Sequence, residues 1–378
     1  RAAGSAAASP DRVKSMRYVP VLHPGTPTTE GAQVIKLGLS EERAGVDVTL
    51  RLVPAVSIEG TVVSSVGPLP PNVDVRLLSV GDAVPTSGIG DLSLQLPVRI
   101  GADGKFSFPG VSPGKYVLAA TSGAAAVGGR DTAVPTSPGL WGSTAVEVTG
   151  IDLSSLTVSL QRGMTVSGML RFESASTPPP ADLSTIRVYL NPVLTSSEVA
   201  MGQTSATAGA DGSFTFSGLT PGKYTLRAQL GTADVRSGWI TKAVSASGRD
   251  VTDVPLQVNA GEDVTDAVLV FGDRPAEITG TLTDAAGKAA TDCYVILMPS
   301  DPVRWRSINR RIQPARVSTD GQFAFRNLLA GDYLVAVARD FDQSTMSDPD
   351  VLTELSRKAV KITLAEGEKK VQPMTIRK

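Results

Sequence analysis

The chain has few side chains that could carry catalytic chemistry. It contains one histidine, His23, and one cysteine, Cys293. Zinc sites built from Cys and His need three or four such ligands, and a disulfide within the chain needs two cysteines, so both are excluded. A Ser–His–Asp triad would have to use His23, which lies in a Pro-rich stretch, and a Cys–His dyad would have to unite it with Cys293. We therefore predict a protein that is not an enzyme and has no cofactor, metal or catalytic residue.

One cluster of basic residues is interleaved with an aromatic residue. It reads Arg304-Trp305-Arg306 and is followed by Arg310 and Arg311. An exposed tryptophan between arginines could stack on a sugar ring or meet an acidic polymer, so Arg304, Trp305 and Arg306 are candidate ligand contacts. The alternative is a solvated loop whose tryptophan folds onto its own domain, and the sequence is compatible with both interpretations.

Composition and charge narrow the class of protein further. The 378 residues contain 36 Lys+Arg and 37 Asp+Glu, a net charge of −1, so no global field favours nucleic acid or an anionic membrane. No run of 18 apolar residues occurs, which excludes a transmembrane helix. The 37 Gly and 26 Pro favour many short strands joined by tight turns, and 41% hydrophobic residues are enough for several small cores.

A block of common design occurs three times, with spacings of 108 and 109 residues between its first residues. Each copy begins with Asp-Gly, continues with two phenylalanines two positions apart, and reaches a tyrosine 13 residues after the Asp. The repeated residues are Asp103, Gly104, Phe106, Phe108 and Tyr116; Asp211, Gly212, Phe214, Phe216 and Tyr224; and Asp320, Gly321, Phe323, Phe325 and Tyr333.

The residue types of the block predict its local structure. Asp-Gly tolerates the positive φ of a tight reversal and starts a strand. Phenylalanines two positions apart point to one face of that strand. Pro-Gly (Ala-Gly in the third copy) then makes a second turn, and Tyr-x-Leu-x-Ala alternates as the next strand. We predict a hairpin whose aromatic face forms part of a sandwich core.

Further strands surround each block. Alternating segments with a central glycine, at Gly60, Gly168 and Gly280, open each unit, and a glycine there predicts a bulge or a close backbone approach. About seven strands per unit, with regular turns, predict an antiparallel two-sheet sandwich. The predicted fold is all-β, with three tandem seven-stranded Greek-key β-sandwiches of about 108 residues, at 55–162, 163–273 and 274–378. Short junctions between the units predict a semi-rigid rod.

Residues 1–54 contain only the end of such a unit. Ala32–Leu37, the polar stretch after it and the alternating segment 45–52 parallel the last strands of the chain, whereas the Asp-Gly-x-Phe block is absent. We predict the C-terminal strands of a partial sandwich behind a mobile N-terminus. Because the chain begins with Arg1, we expect the sequence to start inside a longer precursor.

Three smaller features have local explanations. Asp348-Pro349 suits the start of a short helix through Leu352 and Leu355, with Asp348 as its N-cap. Trp141 and Trp239 are expected in core or junction packing. Cys293 starts an alternating strand and is expected to be a buried small apolar residue.

The motif Asp-Gly-x-Phe-x-Phe-x-Gly-Leu-x-Pro-Gly-x-Tyr, preceded by Ile-x-Gly-x-Val, resembles the carboxypeptidase regulatory-like domain, a prealbumin-like (transthyretin-like) β-sandwich. The resemblance covers 55–378 in three copies and is closest over 211–224; Val111 replaces the usual Leu in the first copy, and Ala330 replaces the turn Pro in the third. It implies a non-catalytic module of secreted and surface bacterial proteins, often in tandem and also attached to metallopeptidases and outer-membrane receptors.

Two functions fit this pattern. The first is a structural or interaction protein, extracellular, on the cell surface or periplasmic, whose N-terminal strands bind a protein partner or a second copy by strand complementation. The second is a carbohydrate-binding accessory region of a larger secreted enzyme or uptake system, which would use a surface glycan as its ligand. No nucleic-acid partner and no transmembrane segment is expected.

Overall fold

The computed structural model describes residues 16–18, 21–26, 31–35, 37, 41–50, 52–80, 98–100, 103–122, 139–193, 205–291, 293–305, 310–339, 341, 345–346 and 348–376. Within these ranges strands dominate, and the α-helices are α1 (Thr232–Arg236) and α2 (Pro349–Ser356). The prediction of an all-β fold is therefore confirmed. The predicted cap of α2 is also confirmed, because Asp348 Oδ1 accepts a hydrogen bond from the Asp350 amide.

In the N-terminal segment (the described residues between 16 and 54), the two ends form a small sheet. Strand β1 (Met16–Tyr18) pairs antiparallel with β2 (Leu52–Pro54). The strand predicted over 45–52 is present only from Leu52, because residues 41–50 have no strand and are exposed along their length. A strand is maintained by a ladder to a neighbour, and the described residues provide none for 45–50.

Sandwich 1 is one continuous sheet that folds over its core, in the order β5-β4-β7-β8-β9-β3-β6. Strand β8 pairs with β7 along its length and with β9 at its start. The strands are β3 (Val56–Ser64), β4 (Val73–Ser79), β5 (Val98–Arg99), β6 (Lys105–Val111), β7 (Gly114–Ser122), β8 (Leu140–Val148) and β9 (Leu153–Arg162).

Sandwich 2 has two sheets, in the orders β13-β10-β18-β15-β16 and β12-β11-β14-β17. Its strands are β10 (Met164–Glu173), β11 (Arg187–Pro192), β12 (Ser205–Thr207), β13 (Ser213–Leu219), β14 (Gly222–Gln229), β15 (Ile240–Ala246), β16 (Arg249–Asp250), β17 (Leu256–Val258) and β18 (Val264–Gly272).

Sandwich 3 also has two sheets, β22-β19-β25 with β26 beside β19, and β21-β20-β23-β24. Helix α2 adds a second small core against the outer face of the latter sheet, where Leu352 packs with Met298, Trp305 and Ala336. The strands are β19 (Ala276–Thr283), β20 (Cys293–Pro299), β21 (Gln313–Arg316), β22 (Gln322–Leu328), β23 (Gly331–Arg339), β24 (Val360–Leu364), β25 (Lys369–Val371) and β26 (Met374–Thr375).

The pairing of the first and last strands differs from the prediction. A purely antiparallel sandwich was expected, but the opening strand of each sandwich pairs in parallel with its closing strand: β3 with β9, β10 with β18, and β19 with β25 and β26. The chain passes through the whole sandwich between these two strands and returns in the same direction. Strands β9 and β18 then lead directly into the next opening strands, β10 and β19.

The predicted hairpin is wrong, because its two strands lie in different parts of the sandwich. The Phe strands β6, β13 and β22 pair with the opening strands, whereas the Tyr strands β7, β14 and β23 pair with β4, β11 and β20. A residue of positive φ, Gly110, Gly218 or Asn327, stands one position before the end of each Phe strand. In β6 and β22 it lies in a β-bulge, because Val111 and Leu328 after it still pair with the opening strand. Asn tolerates this conformation better than other non-glycine residues, which explains how Asn327 can replace the glycine in the third copy. The Tyr116 and Tyr333 hydroxyls each donate to the carbonyl four residues earlier, at 2.9 Å, and fix the corner.

Candidate functional site

The repeated aromatic residues serve the cores. All six phenylalanines of the three blocks are buried, and the ring centroids of each pair lie 5.9 to 6.0 Å apart. The aspartates of the blocks are turn residues: Asp211 Oδ1 accepts from the Ser213 amide at 2.9 Å and from its hydroxyl at 2.7 Å. The Ser213 hydroxyl is the main cause of a lowered pKa of Asp211.

The opening-strand glycines mark close approaches, as the sequence indicated. A Cβ on Gly60, Gly168 or Gly280 would overlap a carbonyl oxygen of the closing strand, from Leu156 or Ala267 in the first two cases. At Gly168 it would also lie 2.7 Å from Phe214 Cζ. The glycine therefore lets the closing strand and the first phenylalanine of the block approach the same point.

The structure does not bring the candidate ligand contacts Arg304 and Trp305 together at one exposed site. Trp305 is only 7% exposed, and its Nε1 donates to the Pro299 carbonyl at 2.8 Å, so it presents no exposed ring to a sugar. Trp141 and Trp239 are buried as well, as is Cys293. Arg306 lies outside the described residues.

Arg304 belongs instead to an ionic cluster between sandwich 2 and sandwich 3, which we call the arginine clamp: Asp253, Arg304, Arg310 and Arg311. Asp253 lies between β16 and β17, and its side chain is 5% exposed. Its Oδ2 accepts from Arg311 Nε at 2.8 Å and from Arg304 Nη1 at 3.3 Å, while its Oδ1 lies 3.7 Å from Arg310 Nε. One carboxylate of sandwich 2 therefore lies among three guanidinium groups of sandwich 3.

Arg310 adds a contact to a second part of sandwich 2, because its Nη1 donates to the Thr241 carbonyl of β15 at 2.8 Å. Burial lowers the pKa of Arg310, and the charge of Asp253 acts in the opposite direction. Arginine remains charged in proteins, so this half-buried guanidinium depends in part on its partners. The clamp thus fixes sandwich 3 to both a loop and a strand of sandwich 2.

Arg311 connects the clamp to the tyrosine corner of the third copy. Its Nη1 donates to the Ala330 carbonyl and to the Tyr333 hydroxyl, both at 3.2 Å. Burial raises the pKa of Tyr333, so the hydroxyl stays protonated and donates to Leu329. Ala330 is the position at which the third copy departs from the Pro of the motif, so this departure lies in the junction.

A second ionic contact joins the same two sandwiches closer to solvent. Lys242 Nζ lies 2.7 Å from Glu173 Oε2 and 3.1 Å from Glu366 Oε1. Arg274 Nη2 donates to the Glu366 carbonyl at 3.3 Å. The hydrogen bond to Glu173 and then that to Glu366 raise the pKa of Lys242. Both glutamates and the lysine are more than a third exposed, so this contact is weaker than the clamp.

Asp273 closes a loop within sandwich 2, directly after β18. Its carboxylate accepts from the amides of Ala175, Ser176 and Thr177 at 2.7 to 3.0 Å. These bonds, that of Ser176 first, hold its pKa well below the ordinary 3.8. The side chain therefore acts as a charged cap for three amides of the loop.

The N-terminal segment carries a run of exposed apolar residues. Val46, Val48, Leu50 and Leu52 alternate along it and are 39%, 45%, 59% and 52% exposed. His23 Nδ1 lies 3.1 Å from the Asp47 carbonyl oxygen, and this is a contact to the backbone of the segment. Alternation of this kind belongs to a strand with one buried face, and that face here meets solvent.

Sequence reasoning missed the acidic half of the clamp and Asp273. Asp253 stands more than 50 positions before its arginines, and no local pattern links it to them. The arginines do carry a signal, because the corresponding loops of the first two copies, 81–97 and 194–204, contain no arginine.

Among the described residues, no three His, Cys, Asp or Glu side chains are grouped as a metal site requires. The described helices include none long and apolar enough to span a membrane.

No family model and no curated protein matches the chain. Among solved structures, the Bacillus anthracis TIE protein is similar over 87% of this chain and 52% of that chain, with 11% identity and a TM-score of 0.21. A Streptococcal ancillary pilin is similar over 85% and 99%, with 12% identity and a TM-score of 0.24. Two B repeat units of the collagen binding protein of Staphylococcus aureus are similar over 75% and 68%, with 12% identity and a TM-score of 0.19.

The chain thus spans about half the length of the TIE protein. Identities and TM-scores this low transfer no function. The resemblance to the carboxypeptidase regulatory-like domain remains a prediction from the repeated motif.

Proposed function

We propose that this is a non-catalytic structural or interaction protein, secreted or at the cell surface, whose N-terminal segment binds partner strands by strand complementation. The observation that carries the proposal is the row of exposed apolar residues Val46, Val48, Leu50 and Leu52. A partner strand would satisfy the free backbone of the segment and cover its apolar face at once.

The tandem sandwiches support the structural half of the proposal. The charged residues with shifted pKa values in sandwiches 2 and 3 are engaged in turns, caps and the junction. The arginine clamp and Lys242 give these two sandwiches a defined mutual orientation. Such a junction suits a spacer that holds its terminal segment at a set place.

The carbohydrate-binding alternative would need an aromatic platform in solvent. All three tryptophans, Trp141, Trp239 and Trp305, are buried. The tryptophans therefore provide no aromatic platform for this alternative.

Site-specific photo-crosslinking in the native cells tests the proposal. A photoreactive residue at Leu50 should give a product in which a strand of a partner is attached, as identified by mass spectrometry. The matched control is Ile151, which is 72% exposed but lies in a turn of sandwich 1. Products at neither position, or the same products at both, would contradict the proposal.

Size-exclusion chromatography and negative-stain imaging of 1–378 against 55–378 identify the kind of partner. Association of the longer chain alone would assign the partner to a second copy and lead to head-to-tail filaments. Monomers in both samples would exclude self-assembly, and the partner strand would then belong to a different chain.

A further inference from the structure

The pairing of β1 with β2 repeats a pairing inside sandwich 1. There, Leu140 and Trp141 of β8 lie opposite Arg162 and Gln161 of β9. In the N-terminal segment, Met16 and Arg17 lie opposite Pro54 and Val53. Arg162 and Pro54 both stand two residues before the next opening strand, at Met164 and Val56, so the register is the same.

The apolar residues of the segment follow the same spacing. Val158 and Leu160 stand six and four residues before Met164, and both are 0% exposed. Leu50 and Leu52 stand six and four residues before Val56, but they are 59% and 52% exposed. Residues at core positions of a closing strand are therefore in solvent, and β1 takes the place of the start of β8.

The two closing strands differ in their second neighbour. Strand β9 lies between β8 and the opening strand β3, which runs parallel to it. Strand β2 pairs with β1 alone among the described residues. The open side of the segment is the side on which an opening strand lies in the complete sandwich.

We propose that this open side binds a parallel strand with a central glycine, from a sandwich of the same repeat type that lacks its own closing strand. The inference rests on the proposed function and specifies its partner. Leu156, whose carbonyl faces Gly60, stands eight residues before Met164, and Val48 stands eight residues before Val56. The glycine of the partner strand would face the Val48 carbonyl.

A second folded copy does not fit this description. The opening strands of the chain are β3, β10 and β19, and each already has a Phe strand on one side and a closing strand on the other. A copy could offer one of them only by losing its own closing strand. The chain on its own is therefore expected to stay monomeric.

A fusion tests the inference on the full chain. Residues 274–359, which contain β19 to β23 but not β24 to β26, are attached ahead of Arg1. Amide hydrogen exchange at 46–52 should slow by roughly a hundredfold or more relative to 1–378, since these amides enter a ladder. Gly280→Val in the attached copy should abolish this protection, and so should Leu50→Asp in the segment. Thr49→Asp, on the opposite face, should leave it unchanged.

The remaining outcomes separate the inference from the proposed function. Protection that survives Gly280→Val in the attached copy would overturn the inference, while strand binding itself would stand. Protection of 46–52 in 1–378 that rises with concentration would also overturn it and assign the partner to a second copy. No protection in either chain, together with no crosslink at Leu50 in native cells, would overturn both.

Discussion

The junction of sandwiches 2 and 3 and the N-terminal segment each lead into an opening strand, and we propose that both contain a closing strand, buried at the junction and exposed in the segment. At the junction, Phe271 of the closing strand is buried, and charged groups such as Asp253 have partners in the next sandwich. In the N-terminal segment, Leu50 and Leu52 meet solvent. On our proposal, the N-terminal segment has the apolar spacing of a closing strand and lacks the parallel neighbour that covers it.

The largest effect is expected at the clamp. Asp253→Ala removes the carboxylate shared by three guanidinium groups, among them that of Arg311, whose side chain is 16% exposed, and should cost about 4 kcal/mol of unfolding free energy. Urea unfolding measures the loss. Asp301→Ala is the control: its carboxylate is 53% exposed, lies 3.7 Å from Arg304 Nε and accepts from the Val303 amide, so its loss should cost about 1 kcal/mol. Equal losses in the two variants would show that the clamp does not stabilise the junction.

A paired substitution compares the complete and the incomplete closing strand directly. Leu160→Ala empties a fully buried position of sandwich 1 and should cost about 3 kcal/mol. Leu52→Ala, at the corresponding spacing in the N-terminal segment, should change the unfolding free energy by less than about 0.5 kcal/mol. A similar loss from both, in the same urea titration, would mean that Leu52 is already buried in the free chain.

Much of the fold follows from local sequence. The Phe pairs, the opening glycines and the Asp348 cap were predicted because each depends on neighbours within a few residues. The connection from Phe strand to Tyr strand was not, since a short turn after a strand suits a hairpin and a crossing between sheets equally well. Only the tertiary pairing of β22 with β19 and of β23 with β20 separates the two.

The site was less predictable than the fold. The arginines were identified as a group, but their meaning depended on Asp253, whose position the sequence does not indicate. Trp305 was a candidate ligand contact because α2, which packs against the same cluster, lies more than 40 residues later in the chain. That the N-terminal segment is the end of a partial sandwich stays a prediction, made because the Asp-Gly-x-Phe block is missing before it.

Acid should lower the stability of sandwich 2 through protonation of Asp273. We expect this effect to be smaller than those of Asp253→Ala and Leu160→Ala. Its pKa is lowered in the folded state, so its contribution is fully present above the ordinary value of 3.8 and is lost as the pH falls through the lower folded value. Urea midpoints of the wild type and Asp273→Asn should differ above about pH 5 and converge toward pH 2. A difference that stays constant over this range would contradict the assignment.

The smallest effect is expected at Lys242. Lys242→Met removes both ion pairs of a partly exposed contact and should cost about 0.5 kcal/mol. The cost should shrink in 1 M salt, where charges at the surface are screened within roughly 3 Å, whereas that of Asp253→Ala should persist. Thermal unfolding of the two variants at low and high salt measures both costs. An equal salt dependence would contradict the conclusion that the clamp is more buried than the Lys242 contact.

Amide hydrogen exchange along the free chain of 378 residues tests the central claim most directly. The complete closing strand β18 should exchange only on global unfolding, whereas residues 46–50 should exchange at rates close to those of an unstructured chain. That contrast is the result expected if the N-terminal segment is a closing strand without its parallel neighbour. Slow exchange at 46–50, equal to that of β18, would show that the segment is already paired and would contradict the account.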